Sequence, residues 1–224
     1  MKYITVFIDG SAYAESVCDH AAWAAGRLRM PVTLVHVLGR RNEVSSQPAD
    51  LSGSLKLGAR SELLDKLAKL DQERAKLGRE RGRAILDDAV ARLVAASPEI
   101  QVIARLRNGD LIGAIGELEA ETRFAIIGKR GEAAGFAQEH LGSNLDRAVR
   151  TFQRPVLIAS HAFRPIERFL LAYDGSPSTG RALERLSEGS VLRGLDCHIL
   201  SVGSATPAIR DRLKAAAGTL AAAG

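Results

Sequence analysis

The feature that most constrains the fold of this chain is an internal repeat, because one strand–turn–helix–strand pattern occurs twice. Residues 4–11 read ITVFIDGS and residues 169–176 read FLLAYDGS, so an aliphatic strand ends in Asp-Gly-Ser at two places 165 residues apart. The same offset carries residues 34–37, LVHV, onto residues 199–202, ILSV, without a gap. Unrelated strand–helix–strand units also resemble one another, but agreement at both ends of the span favours a duplication.

The repeat predicts two domains of unequal length. The first is a complete domain over residues 1–164, and the second is the N-terminal part of another copy over residues 165–224. The second copy would consist of a strand, a helix, a second strand and an Ala-rich helix over residues 209–223. We therefore expect one complete α/β domain followed by an incomplete one.

Strands and helices alternate along the first copy. Short aliphatic runs predict strands over residues 3–8, 32–37, 100–104, 124–127 and 155–159. Helical periodicity predicts helices from the Asp-Gly-Ser turn to about residue 29, over residues 61–96, from residue 111, and from Ser143. Such alternation favours an open parallel sheet with helices on both faces.

Several connections can also be predicted. Residues 39–54 are polar and read as a loop, and Asn108-Gly109-Asp110 reads as a turn whose Asp110 caps the next helix. The long helix carries leucines near a heptad seam at positions 63, 67, 70 and 77. A coiled-coil partner helix would fit that seam, but Arg74 interrupts it, so a long surface helix is the favoured interpretation.

Composition excludes several classes of protein. The 31 basic and 26 acidic residues are interleaved, which favours a mixed solvated surface over a nucleic-acid interface. Two cysteines, Cys18 and Cys197, make neither a disulfide framework nor a metal-spaced set. No signal-peptide pattern or membrane-spanning apolar run is visible. We therefore expect a cytoplasmic protein without membrane or nucleic-acid partners.

A glycine-containing segment after the fourth strand is the strongest candidate for a binding site. Gly128-Lys129-Arg130-Gly131 is followed ten residues later by Gly142-Ser143, where a helix is predicted to begin. Free N–H groups at a helix N-terminus, glycine backbone and nearby cations together would suit a phosphate. An ordinary β–α loop with a serine cap fits the same letters, so this segment alone leaves both interpretations open.

Taken together, these motifs resemble the universal stress protein family. The resemblance rests on Asp9-Gly10-Ser11, His36-Val37, the two glycine pairs of the segment above, and residues 154–158, RPVLI. It covers nearly all of residues 1–160, and its opening motifs recur over residues 169–202. The resemblance implies a five-stranded parallel sheet of order 3-2-1-4-5, with a ligand crevice where that order reverses between strands 1 and 4.

The resemblance also implies ATP as the ligand. Mg²⁺ could accompany the nucleotide, but Asp9 is a single carboxylate, so no metal site is assigned to the protein's own residues. Asp9 and Val37 would contact the adenosine, and Ile127 and Gly128 would line the crevice. The residues implied to surround the phosphates are Arg130, Gly131, Gly142, Ser143 and Asn144.

This sequence departs from the family pattern in its glycine segment. Ten residues separate Gly131 from Gly142, where nine are usual, and Glu132 and Glu139 add negative charge that opposes a triphosphate. No nucleophile–base pair or metal-spaced histidine set is evident, so we expect a sensor or switch, with slow ATP hydrolysis at most.

A second functional hypothesis needs no nucleotide. Universal stress proteins commonly pair through their last strand, which the resemblance places here at Pro155–Ala159. The protein would then be an interaction or dimerisation module, whose partner is a second copy of the domain or a second chain.

Overall fold

The structure is a computed structural model that describes residues 2–39, 57–132, 143–189 and 191–224, without the side chains of residues 57–62, 143 and 144. It divides into two compact units, Met1–Phe163 and Arg164–Gly224. The predicted loop over residues 39–54 falls outside the described residues, except for Gly39, which ends a strand.

The first unit contains five strands and four helices among its described residues. In chain order they are β1 (Tyr3–Phe7), α1 (Ala14–Leu28), β2 (Val32–Gly39), α2 (Leu57–Ala96), β3 (Val102–Gly109), α3 (Leu111–Leu118), β4 (Thr122–Gly128), α4 (Ser143–Thr151) and β5 (Val156–Ala159). All the strand pairs are parallel, and the sheet order is β3-β2-β1-β4-β5. The predicted α/β class and strand order are thus confirmed.

Helices cover both faces of this sheet. On one face α1 packs over β1, β4 and β5, and α2 packs over β2 and β3. On the other face, apolar side chains of β1, β2, β4, α3 and α4 form one cluster, and Val156 of β5 packs against it. Its buried members are Phe7, Val35, Ala114, Ile115, Leu118, Ala125, Ile127, Leu145, Ala148 and Phe152. Because both faces are covered, the central strands read as continuous aliphatic runs.

Local signals explain the end of α1 and the start of α3. Arg29 adopts a left-handed conformation with φ 50° at the end of α1, and its N–H group donates to the carbonyl of Ala25. Asp110 caps α3, because its Oδ1 accepts a hydrogen bond from the Gly113 N–H group at 3.0 Å. The predicted cap is therefore confirmed.

The prediction for the third strand was wrong at both ends. β3 starts two residues later than expected and continues through Asn108 and Gly109, which were assigned to a turn. The reason is register, since β2 and β3 stay paired until Gly39 lies opposite Gly109. Gly109 accommodates this strand end with a φ of 127°.

The long helix α2 changes character along its length. Its C-terminal half contributes the buried side chains of Leu86, Ala89 and Leu93. Farther towards its N-terminus, Leu67, Leu70 and Leu77 are exposed. A long surface helix is therefore the observed arrangement, and it begins at Leu57, four residues before the predicted start.

The second unit repeats the element order of the start of the first. It consists of β6 (Arg168–Ala172), α5 (Pro177–Ser187), β7 (Asp196–Leu200) and α6 (Pro207–Ala223), and β6 and β7 pair in parallel. Ser176 and Thr206 cap the two helices, each with a proline at the first helical position. Alternate strand residues such as Leu170 and Leu200 are exposed on one face of this two-stranded sheet.

Candidate functional site

The Asp-Gly-Ser turn after β1 is held by its own aspartate. Asp9 is half-buried, and its Oδ1 accepts a hydrogen bond from the Ser11 N–H group at 3.1 Å. The Ser11 hydroxyl in turn accepts one from the Tyr13 N–H group at 3.3 Å, immediately before α1. Asp and Ser favour such local bonds to following backbone groups, so the motif specifies a turn before it specifies a ligand.

The same turn is bound to the glycine segment that follows β4. The other carboxylate oxygen of Asp9, Oδ2, accepts a hydrogen bond from the Glu132 N–H group at 3.0 Å. The Ser11 hydroxyl donates to the carbonyl of Arg130 at 3.5 Å. Because β1 and β4 are neighbours, their carboxyl ends bring together two segments that are more than 100 residues apart. This place is the reversal in strand order where ligands of open sheets bind.

Two glycines allow this close approach. A Cβ atom at Gly131 would lie 2.9 Å from Oδ2 of Asp9, and one at Gly128 would lie 3.1 Å from Cβ of Tyr13. The 2.9 Å separation is shorter than real Cβ atoms show, and the 3.1 Å separation is shorter than nearly all that are observed. A methyl group at either position would therefore force Asp9 or Tyr13 to shift, so packing of the chain on itself favours glycine there in addition to any ligand.

Ile127 and Val37, the two apolar residues predicted at the site, belong to the apolar cluster or pack against it. Ile127 is buried in the cluster beneath α3 and α4, and Val37 packs against the same cluster while staying half-buried. His36, which precedes Val37, is buried, and its Nδ1 lies 2.8 Å from the carbonyl oxygen of Ile8. His36 thus links β2 to the end of β1, which is a packing role.

The phosphate side of the predicted site is described only in part. Arg130 and Gly131 lie in the segment after β4, and Ser143 and Asn144 are the first residues of α4, described without their side chains. Gly142 lies outside the described residues, as do Glu139 and His140. The structure thus brings Asp9, Gly128, Arg130 and Gly131 together.

Sequence reasoning missed Arg81 of α2. Its guanidinium lies over the Asp-Gly-Ser turn, since a Cβ atom at Gly10 would be 3.0 Å from Nη2 of Arg81. Arg81 also forms an ion pair with Glu132 of the glycine segment. Both helices carry an Arg-acid-Arg triplet, Arg79-Glu80-Arg81 and Arg210-Asp211-Arg212, but the triplets are 131 residues apart and so fall outside the 165-residue register of the repeat.

The donor set does not suit a bound metal. Across the described parts of the chain, no group of three or more His, Cys, Asp or Glu side chains could hold an ion. Asp9 is a single carboxylate, so by itself it supplies few of the oxygen ligands that octahedral magnesium needs. None of the described helices is both long and apolar enough to cross a bilayer.

Two comparisons with known proteins find the same family. The profile of the universal stress protein family matches residues 1–160. The universal stress protein Slr1230 of Synechocystis sp. is 36% identical over 204 residues, which is 91% of this chain and 70% of that protein.

One solved structure shows the same fold over almost the whole chain. The crystal structure of a universal stress protein from Archaeoglobus fulgidus DSM 4304 aligns with 98% of this chain and 74% of that chain, at 20% identity and a TM-score of 0.67. A universal stress protein from Archaeoglobus fulgidus in complex with dAMP covers 71% of this chain and 98% of that chain, at 20% identity and a TM-score of 0.43.

Proposed function

Because this chain belongs to the universal stress protein family, we propose that the crevice at the ends of β1 and β4 binds an adenine nucleotide, with ATP as the first candidate. The protein would act in the cytoplasm as a stress-response sensor or switch rather than as a turnover enzyme. The first unit supplies the binding site, and the second unit is the beginning of a duplicate domain.

One observation carries the proposal. The hydrogen bond from the Glu132 N–H group to Asp9 holds the glycine segment against the turn after β1, at the reversal of the strand order. Open α/β sheets bind their ligands at such a reversal, and the N-terminus of the following helix, α4, provides N–H groups and a positive dipole end. Lys129 and Arg130 add positive charge to the same segment.

The residues present fit a nucleotide better than they fit a metal. Val37 supplies a half-buried apolar surface at the end of β2, and Ser11 supplies a hydroxyl beside the glycine segment. Arg130 supplies a charge suited to phosphate oxygens. The proposal therefore assigns binding to these side chains and routes nothing through Mg²⁺.

The first test identifies what the protein carries. Freshly purified protein is denatured and any released nucleotide is identified by mass spectrometry, and ATP is then titrated into the emptied protein by calorimetry. We expect retained adenine nucleotide or binding in the micromolar range. An absence of retained nucleotide, together with no heat of binding at millimolar ATP, would refute the proposal.

A pair of matched variants locates the site. Gly131→Ala places a methyl group 2.9 Å from Oδ2 of Asp9, so the glycine segment or the carboxylate must move. We expect ATP affinity to fall at least about tenfold, or ~1.4 kcal/mol. Gly116→Ala on α3 makes the same chemical change with nothing within 4 Å, and should leave the affinity unchanged. Equal affinities for the two variants would move the site elsewhere.

A second candidate function is assembly through β5. This strand is the last in the sheet order, and Ile158 on it is 42% exposed. An edge strand with an exposed apolar side chain is a template for pairing with another chain. If β5 pairs two chains, Ile158→Lys should convert dimers to monomers in analytical ultracentrifugation. Val149→Lys on α4, whose side chain is 41% exposed, is the matched control and should leave assembly unchanged.

A further inference from the structure

Arg81 lies at the crevice, but the proposed function has given it no role. It lies on α2, which is far from the glycine segment in sequence, yet its guanidinium sits directly over Gly10 of the turn after β1. Its ion-pair partner Glu132 is 51 residues away and belongs to the glycine segment. Arg81 thus connects α2 with both segments that form the mouth of the crevice.

The ion pair is built in a way that permits exchange. The side chains of Arg81 and Glu132 are 59% and 42% exposed, so water competes with the pair and its net contribution to stability is small. The backbone of Glu132 is held more firmly, because its N–H group donates to Asp9. Its carboxylate can therefore leave the arginine while the glycine segment stays in place.

The second unit also has an arginine over its Asp-Gly-Ser turn, and that arginine has no Glu132 as a partner. There, α6 follows β7 as α2 follows β2, and a Cβ atom at Gly175 would lie 2.7 Å from Nη1 of Arg212. Arg212 and Arg81 each end an Arg-acid-Arg triplet on the helix that follows the second strand of their unit. The Nε group of Arg212 donates to the carbonyl of Ala208 at 3.4 Å. Both units therefore place a second-helix arginine on the glycine of Asp-Gly-Ser.

We propose that Arg81 binds the phosphate groups of the ligand, and that Glu132 competes with those phosphates for its guanidinium. A guanidinium presents the same fork of N–H donors to carboxylate and to phosphate, so one anion can replace the other. Glu132 then pairs with Arg81 in the absence of ligand and lowers affinity for the anionic end of the nucleotide. This inference rests on the nucleotide-binding function proposed above and deepens it.

The experiment compares ATP with adenosine by calorimetry on emptied protein. We expect Arg81→Gln to weaken ATP binding at least tenfold and to change adenosine binding less than twofold. Glu132→Gln should tighten ATP binding three- to tenfold and leave adenosine binding unchanged. In the double variant, Glu132→Gln should bring no gain, because the group for which it competes is gone.

Two further variants control for charge and folding. Arg79→Gln removes the same charge from an exposed position on the same helix, and ATP should bind it as tightly as it binds the unmodified protein. Arg81→Lys keeps the charge but loses the fork, and it should bind ATP with intermediate affinity. Circular dichroism establishes that each variant is folded.

The outcomes separate this inference from the proposed function. If the unmodified protein binds ATP and Arg81→Gln binds it as Arg79→Gln does, the inference fails and the function stands. If only Glu132→Gln protein binds ATP, and Arg81→Gln abolishes that binding, the inference stands and the function fails for the native chain. If neither protein binds ATP or inorganic tripolyphosphate, both fail.

Discussion

The two Asp-Gly-Ser turns of this molecule begin alike and are used differently. In the first unit, Asp9 accepts one hydrogen bond from its own turn and another from Glu132, which follows β4. In the second unit, Asp174 accepts hydrogen bonds from the Ser176 N–H group and the Thr179 hydroxyl, both at 2.8 Å and both local. The motif therefore determines the conformation of the turn. In the first unit the neighbouring strand, β4, determines which distant segment the turn can bind.

The electrostatics of the second turn follow from these local bonds. Hydrogen bonds from Ser176 and then Thr179 lower the pKa of Asp174 from 3.8 to about 2, because they stabilise its charged form. The turn in the second unit thus has a stable carboxylate but no glycine segment among the described residues to which it binds. Four experiments test how far the two units differ.

The largest expected difference is in the reactivity of the two cysteine thiols. Burial raises the pKa of Cys18 in the first unit from 9.0 to about 12, which lowers its thiolate fraction near pH 8 about a thousandfold. Cys197 on β7 is half-exposed, and burial raises its pKa as well. We expect a thiol reagent to label Cys197 in the native protein and Cys18 only after denaturation. Labelling of native Cys197→Ser protein at a comparable rate would show that the first unit opens readily.

The next difference concerns the bond between Asp9 and the glycine segment. Asp9→Asn weakens the acceptor for the Glu132 N–H group, so we expect that amide to exchange with solvent at least about tenfold faster. Asp174→Asn is the matched change in the second unit and should leave the Glu132 amide unaffected. Hydrogen exchange followed by mass spectrometry measures both, and equal effects would contradict the long-range role assigned to Asp9.

The glycines of the two turns should also respond differently to a methyl group. Gly175 has a φ of 77°, a conformation that costs a residue with a side chain about 1 kcal/mol or more, and a Cβ atom there would meet Arg212 at 2.7 Å. Gly10 is not in that conformation, and its Cβ atom would meet the end of the Arg81 side chain at 3.0 Å. We expect Gly175→Ala to speed amide exchange in α5 clearly, and Gly10→Ala to have a smaller effect in α1. A reversed order would overturn the interpretation.

The smallest expected effect is a dependence on pH. The folded pKa of Asp174 lies below its unfolded value, so its contribution to stability is present above about pH 4 and is lost as the pH falls towards 2. An NMR titration of the Asp174 carboxyl group should have its midpoint near pH 2. Asp174→Asn should remove that contribution, and a midpoint near the ordinary value would refute the hydrogen-bonded turn.

Several features were predictable because they depend on neighbours along the chain. Asp110 as a helix cap and the start of a helix at Ser143 follow from short-range signals, and both agree with the structure. The end of β3 was not predictable in this way. Asn108 and Gly109 have the composition of a turn, but pairing with β2 keeps them in the sheet.

The residues of the candidate site also divide into those that the sequence marks and those that depend on tertiary packing. Asp9, Gly128 and Gly131 could be selected from the sequence, because the family pattern marks them, and the structure brings them together. The sequence around Arg81 does not single it out, since exposed arginines are common on a solvated helix. Its position over Gly10 depends on how α2 packs across β2 and β3.

The sequence by itself determined the alternation of strands and helices, the repeated Asp-Gly-Ser turn and membership of the family, because each is written in residues that act over short spans or in a fixed order. Only the tertiary structure decided which segments meet at the end of β1. Parallel strands β1 and β4 are adjacent in space and distant in sequence, so the contacts of Asp9 with Glu132, and of Arg81 with both, exist only once the sheet and its helices have packed.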